Sequence, residues 1–220
     1  MWSDILLYAA HIQRESSVNM NTQPVVYVVD DDAAVRKSLE RLFRSVGLAV
    51  ETFPSARDFL ASDLSDRPGC LLLDIEMPEI TGLELQEQLT ALNQSLPIIF
   101  LTGLGSIPKS VQAMKAGAVD FLEKPCVPET LLKAIEQAIT HDKQNRQTID
   151  ELTAIRKHSE SLSKREQEVF ELVVTGMLNK QIAFQLGITE GTIKVHRAHI
   201  MQKMGAQSLA DLVRIADRLK

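Results

Sequence analysis

From Pro24 onward, short apolar runs alternate with longer amphipathic ones. VVYVV at 25–29 is followed by a helical pattern at 33–45, then by AVETF at 49–53 and a second helical stretch at 55–61. CLLL at 70–73, a helical pattern near 83–92, PIIFLT at 97–102, a helical pattern at 107–116, VDFL at 119–122 and a helix starting near Pro128 complete the series. Five strands in strict alternation with five helices predict a parallel sheet covered on both faces. The strands are continuously apolar rather than alternating, which agrees with burial on both sides.

The fifth helical pattern runs on. Ile135, Ala138 and Ile139 are followed by Ile149, Leu152 and Ile155 at broadly helical spacing among charged residues, so 141–160 reads as a polar, partly helical linker. After Ser161 only helical patterns remain. Ser163 and Glu166 have the spacing of a capping box, and Asn179, Thr189 and Ser208 suit the caps of three further helices. Gly176 and Gly187 stand where helices should end. The chain thus divides into an α/β domain at 24–140, the linker at 141–160 and an all-α domain of four short helices at 161–220. Residues 1–23 precede the first strand pattern, either as a disordered extension or as a stretch upstream of a start at Met20.

Composition adds little until it is divided. Hydrophobic residues at 45% and charged residues at 24% are ordinary for globular protein. The net charge of −5 hides an asymmetry: −7 for residues 24–140 (10 basic minus 17 acidic) and +3 for residues 161–220 (9 minus 6). The basic end fits contact with phosphates, and the acidic front half has carboxylates to hold a divalent cation. Cys70 and Cys126 lack the clustered spacing of a zinc site and make no secreted disulfide framework, so both read as packing residues. No apolar run approaches the roughly 18 residues of a membrane span. The opening MWSDILLYAAHI carries Asp4 and no basic region, so a cytoplasmic protein without membrane association is expected.

Open parallel sheets bind ligands at the carboxyl ends of their strands. Here strand one ends in Asp30, Asp31 and Asp32, strand three in Asp74 and strand four in Thr102, while Lys124 follows strand five. Singly, each has an ordinary explanation: the three aspartates cap the first helix, Asp74 opens a turn before Pro78, and Lys124 is solvated. Together they place carboxylates, a hydroxyl and an ammonium on one edge. Such like charges are costly without a cation, and hard oxygen ligands favour Mg²⁺. An aspartate can take a phosphoryl group as an aspartyl phosphate, with Mg²⁺ and Lys124 offsetting its charge.

Residues 24–140 resemble the receiver domain of response regulators. The resemblance rests on Asp30 and Asp31 after VVYVV, Asp74 in LLLDIEMPEITG, Thr102 in FLTG and Lys124 in the EKP segment. It implies a flavodoxin-like sheet of order 2-1-3-4-5 and phosphorylation of Asp74 by a sensor histidine kinase. It also implies Mg²⁺ held by Asp31, Asp74 and the backbone carbonyl of Glu76, with Asp30 assisting. Thr102 would turn toward the acyl phosphate with Phe121 following it inward, and a receiver dimer face would form around Val111, Met114 and Lys115. Glu76 occupies a position that in this family often tunes how long the phosphate survives. Cys126 departs from the family's usual aromatic after Lys-Pro.

In the carboxy-terminal part, Gly187 separates helical stretches at 180–186 and 189–204, as in a helix-turn-helix whose second helix enters the major groove. Ile193, Ile200 and Met204 recur at spacings that face a core, leaving Lys194 and Arg197 outside. A small interaction bundle with a solvated basic face fits the same features. The segment LSKREQEVFELVVTGMLNKQIAFQLGITEGTIKVHRAHIMQKM resembles the LuxR-type output domain, and the domain order resembles the FixJ/NarL transcription regulators. That resemblance implies base-facing Lys194, Val195 and Ala198, phosphate contacts from Thr192, Arg197 and Lys203, and an output dimer contact at 209–219. The implied partners are a second copy of the chain and promoter DNA, with RNA polymerase a further candidate. His196 and His199 read as packing or phosphate-contact residues ahead of metal ligands. Some phosphatases also combine a nucleophilic Asp with Thr, Lys, Mg²⁺ and a carboxylate at the Glu76 spacing. The upstream acidic pair and the helix-turn-helix weigh against that, so no enzyme activity is expected beyond the receiver's own phosphorylation and dephosphorylation.

Overall fold

Each expected strand forms in the computed structural model, which describes residues 23–64, 66–103 and 107–219. Strands β1 (Val25–Val29), β2 (Ala49–Phe53), β3 (Gly69–Leu73), β4 (Ile98–Thr102) and β5 (Asp120–Glu123) make one parallel sheet of order β2-β1-β3-β4-β5. Except for Gln23, the expected extension at 1–23 lies outside the described residues.

Register decides what the sheet can do. Val29 lies level with Phe53 on one side and Leu73 on the other, so the residues following β1 and β3 emerge side by side. Alternate residues of β1 serve opposite cores. Val26 and Val28 meet Leu39 and Phe43 of α1 (Ala33–Ser45) and Leu131 and Ile135 of α5 (Pro128–Glu160). Val25, Tyr27 and Val29 belong to the core that includes Phe59 of α2 (Ala56–Leu60), Leu85 and Leu89 of α3 (Gly82–Ala91) and Ala113 of α4 (Ile107–Lys115). Every residue of β1, β3 and β4 is buried, which explains their unbroken apolar sequence.

Helix α5 differs from expectation. It runs without a break through 33 residues, so the segment at 141–160 is helical throughout rather than in part. Residues 129–160 contain neither glycine nor proline, and nothing interrupts propagation once the buried first turns have nucleated the helix. Its attachment to the sheet also reaches beyond residue 140. The buried Asp142 carboxylate accepts the Gly69 N–H at 2.9 Å and Arg146 Nε at 2.8 Å, and Arg146 continues to Asp66 at 2.6 Å. The two compact units of the chain divide between Arg146 and Gln147.

The second unit adds α6 (Lys164–Val174), α7 (Asn179–Leu186), α8 (Glu190–Lys203) and α9 (Leu209–Asp217). Their core contains Val169, Phe170, Val173, Ile182, Ile193, Ile200, Met204 and Leu212. Ser163 and Glu166 form the expected reciprocal cap, and Thr189 and Ser208 cap α8 and α9. Asn179 is not a cap. Leu178 takes that place with extended backbone, its N–H donating to Gln181 Oε1 at 2.8 Å, and Asn179 begins the helix. Gly187 ends α7 at φ 65°, the left-handed conformation that frees the chain to turn into α8. Among the described residues no helix is long and apolar enough to cross a membrane.

Candidate functional site

The levelled ends of β1 and β3 bring two aspartates together, because the Asp74 N–H continues the ladder to the Val29 carbonyl at 2.9 Å. Asp30 is 2% and Asp74 7% exposed, whereas Asp31 faces solvent. One carboxylate oxygen from each of Asp30, Asp31 and Asp74 lies within 4.8 Å of the others. Asp32 leaves the cluster: its side chain caps α1, accepting from Ala34 N–H at 2.7 Å and Val35 N–H at 3.4 Å. The acidic run therefore splits between one capping residue and two that face the site.

Lys124 completes the pocket from the residue just after β5. Its backbone N–H donates to the Thr102 carbonyl at 2.7 Å, fixing the turn. Its Nζ lies 2.6 Å from Asp30 Oδ2 and 3.3 Å from Asp74 Oδ1. Burial pushes the Asp74 carboxyl above its usual range and the Asp30 charge adds to this, with Lys124 pulling the other way. Burial alone would lower the Lys124 ammonium, but its bonds and charge contacts with Asp30 and Asp74 outweigh that and raise it. Three carboxylates thus face one ammonium. Hard oxygen donors with this spacing and excess negative charge fit a small divalent cation such as Mg²⁺.

A residue overlooked in the sequence shapes the floor. A Cβ on Gly82 would lie 2.2 Å from the Asp74 carbonyl oxygen and 3.0 Å from Ile75 Cα. Only glycine lets the first turn of α3 approach that closely, and its N–H donates to the Ile75 carbonyl at 3.0 Å. The signal was there in a poor helix former opening an otherwise helical pattern.

The other expected receiver residues occupy two regions. Thr102, 1% exposed, ends β4 on the same edge as Asp74, and Phe121 on β5 is half-buried with its ring centroid 6.5 Å from that of Phe100. Glu76 lies on the loop after β3, its carboxylate paired with Lys109 of α4 at 2.7 Å. Val111 and Met114 are 46% and 45% exposed on α4, in helical register with exposed Ile107, and Lys115 is exposed at its end. Ala113 is the only residue of α4 that is buried.

In the second unit, α8 buries Ile193 and Ile200 and exposes Thr192, Lys194, Val195 and Ala198. Arg197 is half-buried and donates to Asn179 Oδ1 at 3.1 Å, tying α8 to α7. Lys203, expected at a phosphate, has partners of its own in this structure. Its Nζ is held within the domain, 2.7 Å from Glu166 Oε2 and 3.1 Å from the Ser161 carbonyl. Glu166, buried as a residue, is held down at a pKa of about 2 by the Lys203 bond and the Ser163 N–H. His199 Nδ1 lies 3.7 Å from Glu166, and neither His196 nor His199 joins a metal-capable group of three or more among the described residues.

Comparison with known proteins follows the same division. Residues 26–136 match the model of the response regulator receiver domain, and residues 160–216 match that of bacterial regulatory proteins of the luxR family. Nodulation protein W of Bradyrhizobium diazoefficiens is 48% identical over 199 residues, covering 90% of this chain and 88% of that protein. Response regulator protein TodT of Pseudomonas putida is 50% identical over 196 residues, covering 89% and 86%. The low-resolution structure of the response regulator StyR superposes with a TM-score of 0.82 at 48% identity, covering 90% of this chain and all of that one.

Proposed function

We infer that this chain, which belongs to the response regulators joining a receiver to a LuxR-type DNA-binding domain, works by accepting a phosphoryl group on Asp74. It is a transcriptional regulator of that family. The observation that carries the finer reading is the convergence of Asp30, Asp31 and Asp74 within 4.8 Å beside Lys124.

An Asp74 oxygen attacks the phosphorus of a donor, a phosphohistidine on a sensor kinase in the cell, and the donor leaves on the opposite side. Lys124 Nζ stands 3.3 Å from Asp74 Oδ1, where it meets the oxygens of the arriving group. Mg²⁺, held by Asp31, Asp74 and the Glu76 carbonyl with Asp30 assisting, would offset negative charge on the transferring group. The Thr102 hydroxyl then turns toward the acyl phosphate, and Phe121 follows it inward. A two-state receiver is thereby biased toward the form that pairs through Val111, Met114 and Lys115 on α4.

Pairing brings two output domains to two half-sites of promoter DNA, with the segment at 209–219 as a second dimer contact. Helix α8 enters the major groove. Lys194 supplies a base-edge hydrogen bond, Val195 and Ala198 offer apolar contact, and Thr192 and Arg197 address the phosphates. RNA polymerase is a further partner of a promoter-bound regulator. The protein is not a turnover phosphatase in this reading. The one carboxylate at the spacing such an enzyme needs, Glu76, is engaged by Lys109.

Filter binding to promoter fragments, before and after phosphorylation, tests the output. Affinity should rise with phosphorylation, and Lys194→Ala should lose roughly 1–3 kcal/mol of sequence discrimination. Unchanged affinity on phosphorylation would leave a DNA-binding protein without the proposed switch. Lys194→Ala binding every fragment as wild type does would remove α8 from its assigned place.

A further inference from the structure

Glu76 stands two residues beyond Asp74 on the loop that follows β3 at the carboxyl edge of the sheet, and its side chain is half exposed. Lys109 reaches it from the first turns of α4, Nζ to Oε1 at 2.7 Å. Inside the pocket, three carboxylates against one ammonium leave an excess of two negative charges, which one divalent cation cancels. Glu76 would add a further negative charge at the rim, and Lys109 removes it. The ion pair is exposed on both sides, so the balance is local, weak and sensitive to salt.

Every phosphoryl donor arrives as an anion. An uncompensated carboxylate at the entrance repels it before it reaches Asp74, and rim charges of this kind act chiefly on the rate of approach. We propose that Lys109 is a positioning residue for phosphoryl transfer, neutralising Glu76 so that anionic donors can enter the Asp74 pocket. The proposal rests on Asp74 being the phosphoacceptor. It assigns Lys109 no contact with the donor, because its partner among the described residues is Glu76.

A purely mechanical role for the ion pair makes a different demand. If the pair served only to tether α4 to the loop after β3, Glu76→Gln and Lys109→Ala would break the same tether and behave alike. Acting through charge, they diverge: Lys109→Ala bares a carboxylate, whereas Glu76→Gln removes one.

The test is the rate of Asp74 phosphorylation in the full-length protein by acetyl phosphate with Mg²⁺, followed by quenched intact-mass measurement. Lys109→Ala should load roughly two- to five-fold more slowly, the range open to an exposed ion pair, and the deficit should shrink as salt is raised. Lys109→Arg should load at the wild-type rate. Glu76→Gln keeps the backbone carbonyl assigned to Mg²⁺ but leaves Lys109 as an unopposed cation, so it should load faster than wild type, and the double variant, with no rim charge, should return to about the wild-type rate. Phosphoramidate, a less negatively charged donor, should show a smaller deficit. The inference is overturned if Lys109→Ala loads at the wild-type rate, if the double variant stays as slow as Lys109→Ala, or if Glu76→Gln is slowed as much as Lys109→Ala. A wild-type Asp74 that takes no phosphoryl group at all overturns the earlier reading and this one with it.

Discussion

Gly82 leaves no space for a side chain beneath Asp74, since a Cβ there would meet the Asp74 carbonyl oxygen at 2.2 Å. That atom is backbone and cannot swing aside, so Gly82→Ala should displace the start of α3 and cost about 1–3 kcal/mol, as overpacking does. Urea unfolding measures the loss, and slower loading of Asp74 should accompany it; wild-type stability would show that the floor can yield. Glu166 makes a separate claim about pH. Its folded pKa of about 2 lies below the ordinary 4.5, so the stability it contributes is fully present above pH 4.5 and is lost as pH falls toward 2. Thermal unfolding across that window should show Glu166→Gln with a flatter pH dependence than wild type. Parallel curves would mean that the Lys203 and Ser163 contacts do not hold the charge. Gly82 and the Lys203–Glu166 ion pair escaped the sequence reading for one reason: they depend on what lies opposite in space, whereas the Ser163–Glu166 cap was legible from its spacing. The family resemblance assigned Lys203 to a phosphate contact, and only the structure shows that its ammonium also pairs with Glu166.

At the scale of elements, the sequence was most legible where periodicity and burial coincide. VVYVV and AVETF become β1 and β2 with the expected bounds, and the pattern at 33–45 becomes α1, because each follows one dominant pattern. The carboxylate edge was equally legible, since strand order and polarity alone bring Asp30, Asp74 and Lys124 together. Legibility failed where two local signals compete. Asn179 is a good capping residue, yet Gln181 satisfies the Leu178 N–H and leaves Asn179 to receive Arg197. The polar stretch at 141–160 looks like a linker because so much of it faces solvent, while its helicity follows from the lack of any breaker. The Asp142 contact extends the docking of α5 past the apolar face that ends at Ile139. Asp142→Ala would strip the buried Gly69 N–H of its acceptor and should cost roughly 1–3 kcal/mol. Asp142→Asn, which keeps an acceptor oxygen, should lose less. Equal losses in chemical unfolding would show that the charge on Arg146, rather than the Gly69 bond, sets the cost.

Over the whole molecule, two regions of opposite charge balance carry two different domains: an acidic receiver with three clustered aspartates, and a LuxR-type helical domain whose α8 exposes Lys194. On the receiver, the apolar residues Ile107, Val111 and Met114 of α4 face outward while Ala113 alone of that helix is buried. The proposed switch depends on Asp74 taking a phosphoryl group. The most direct test is intact-mass spectrometry of wild-type and Asp74→Asn protein after incubation with acetyl phosphate, with and without Mg²⁺. The expected result is one added phosphoryl group on wild type, dependent on Mg²⁺ and missing from Asp74→Asn. Equal phosphorylation of the two proteins, or no phosphorylation of either, would contradict the account.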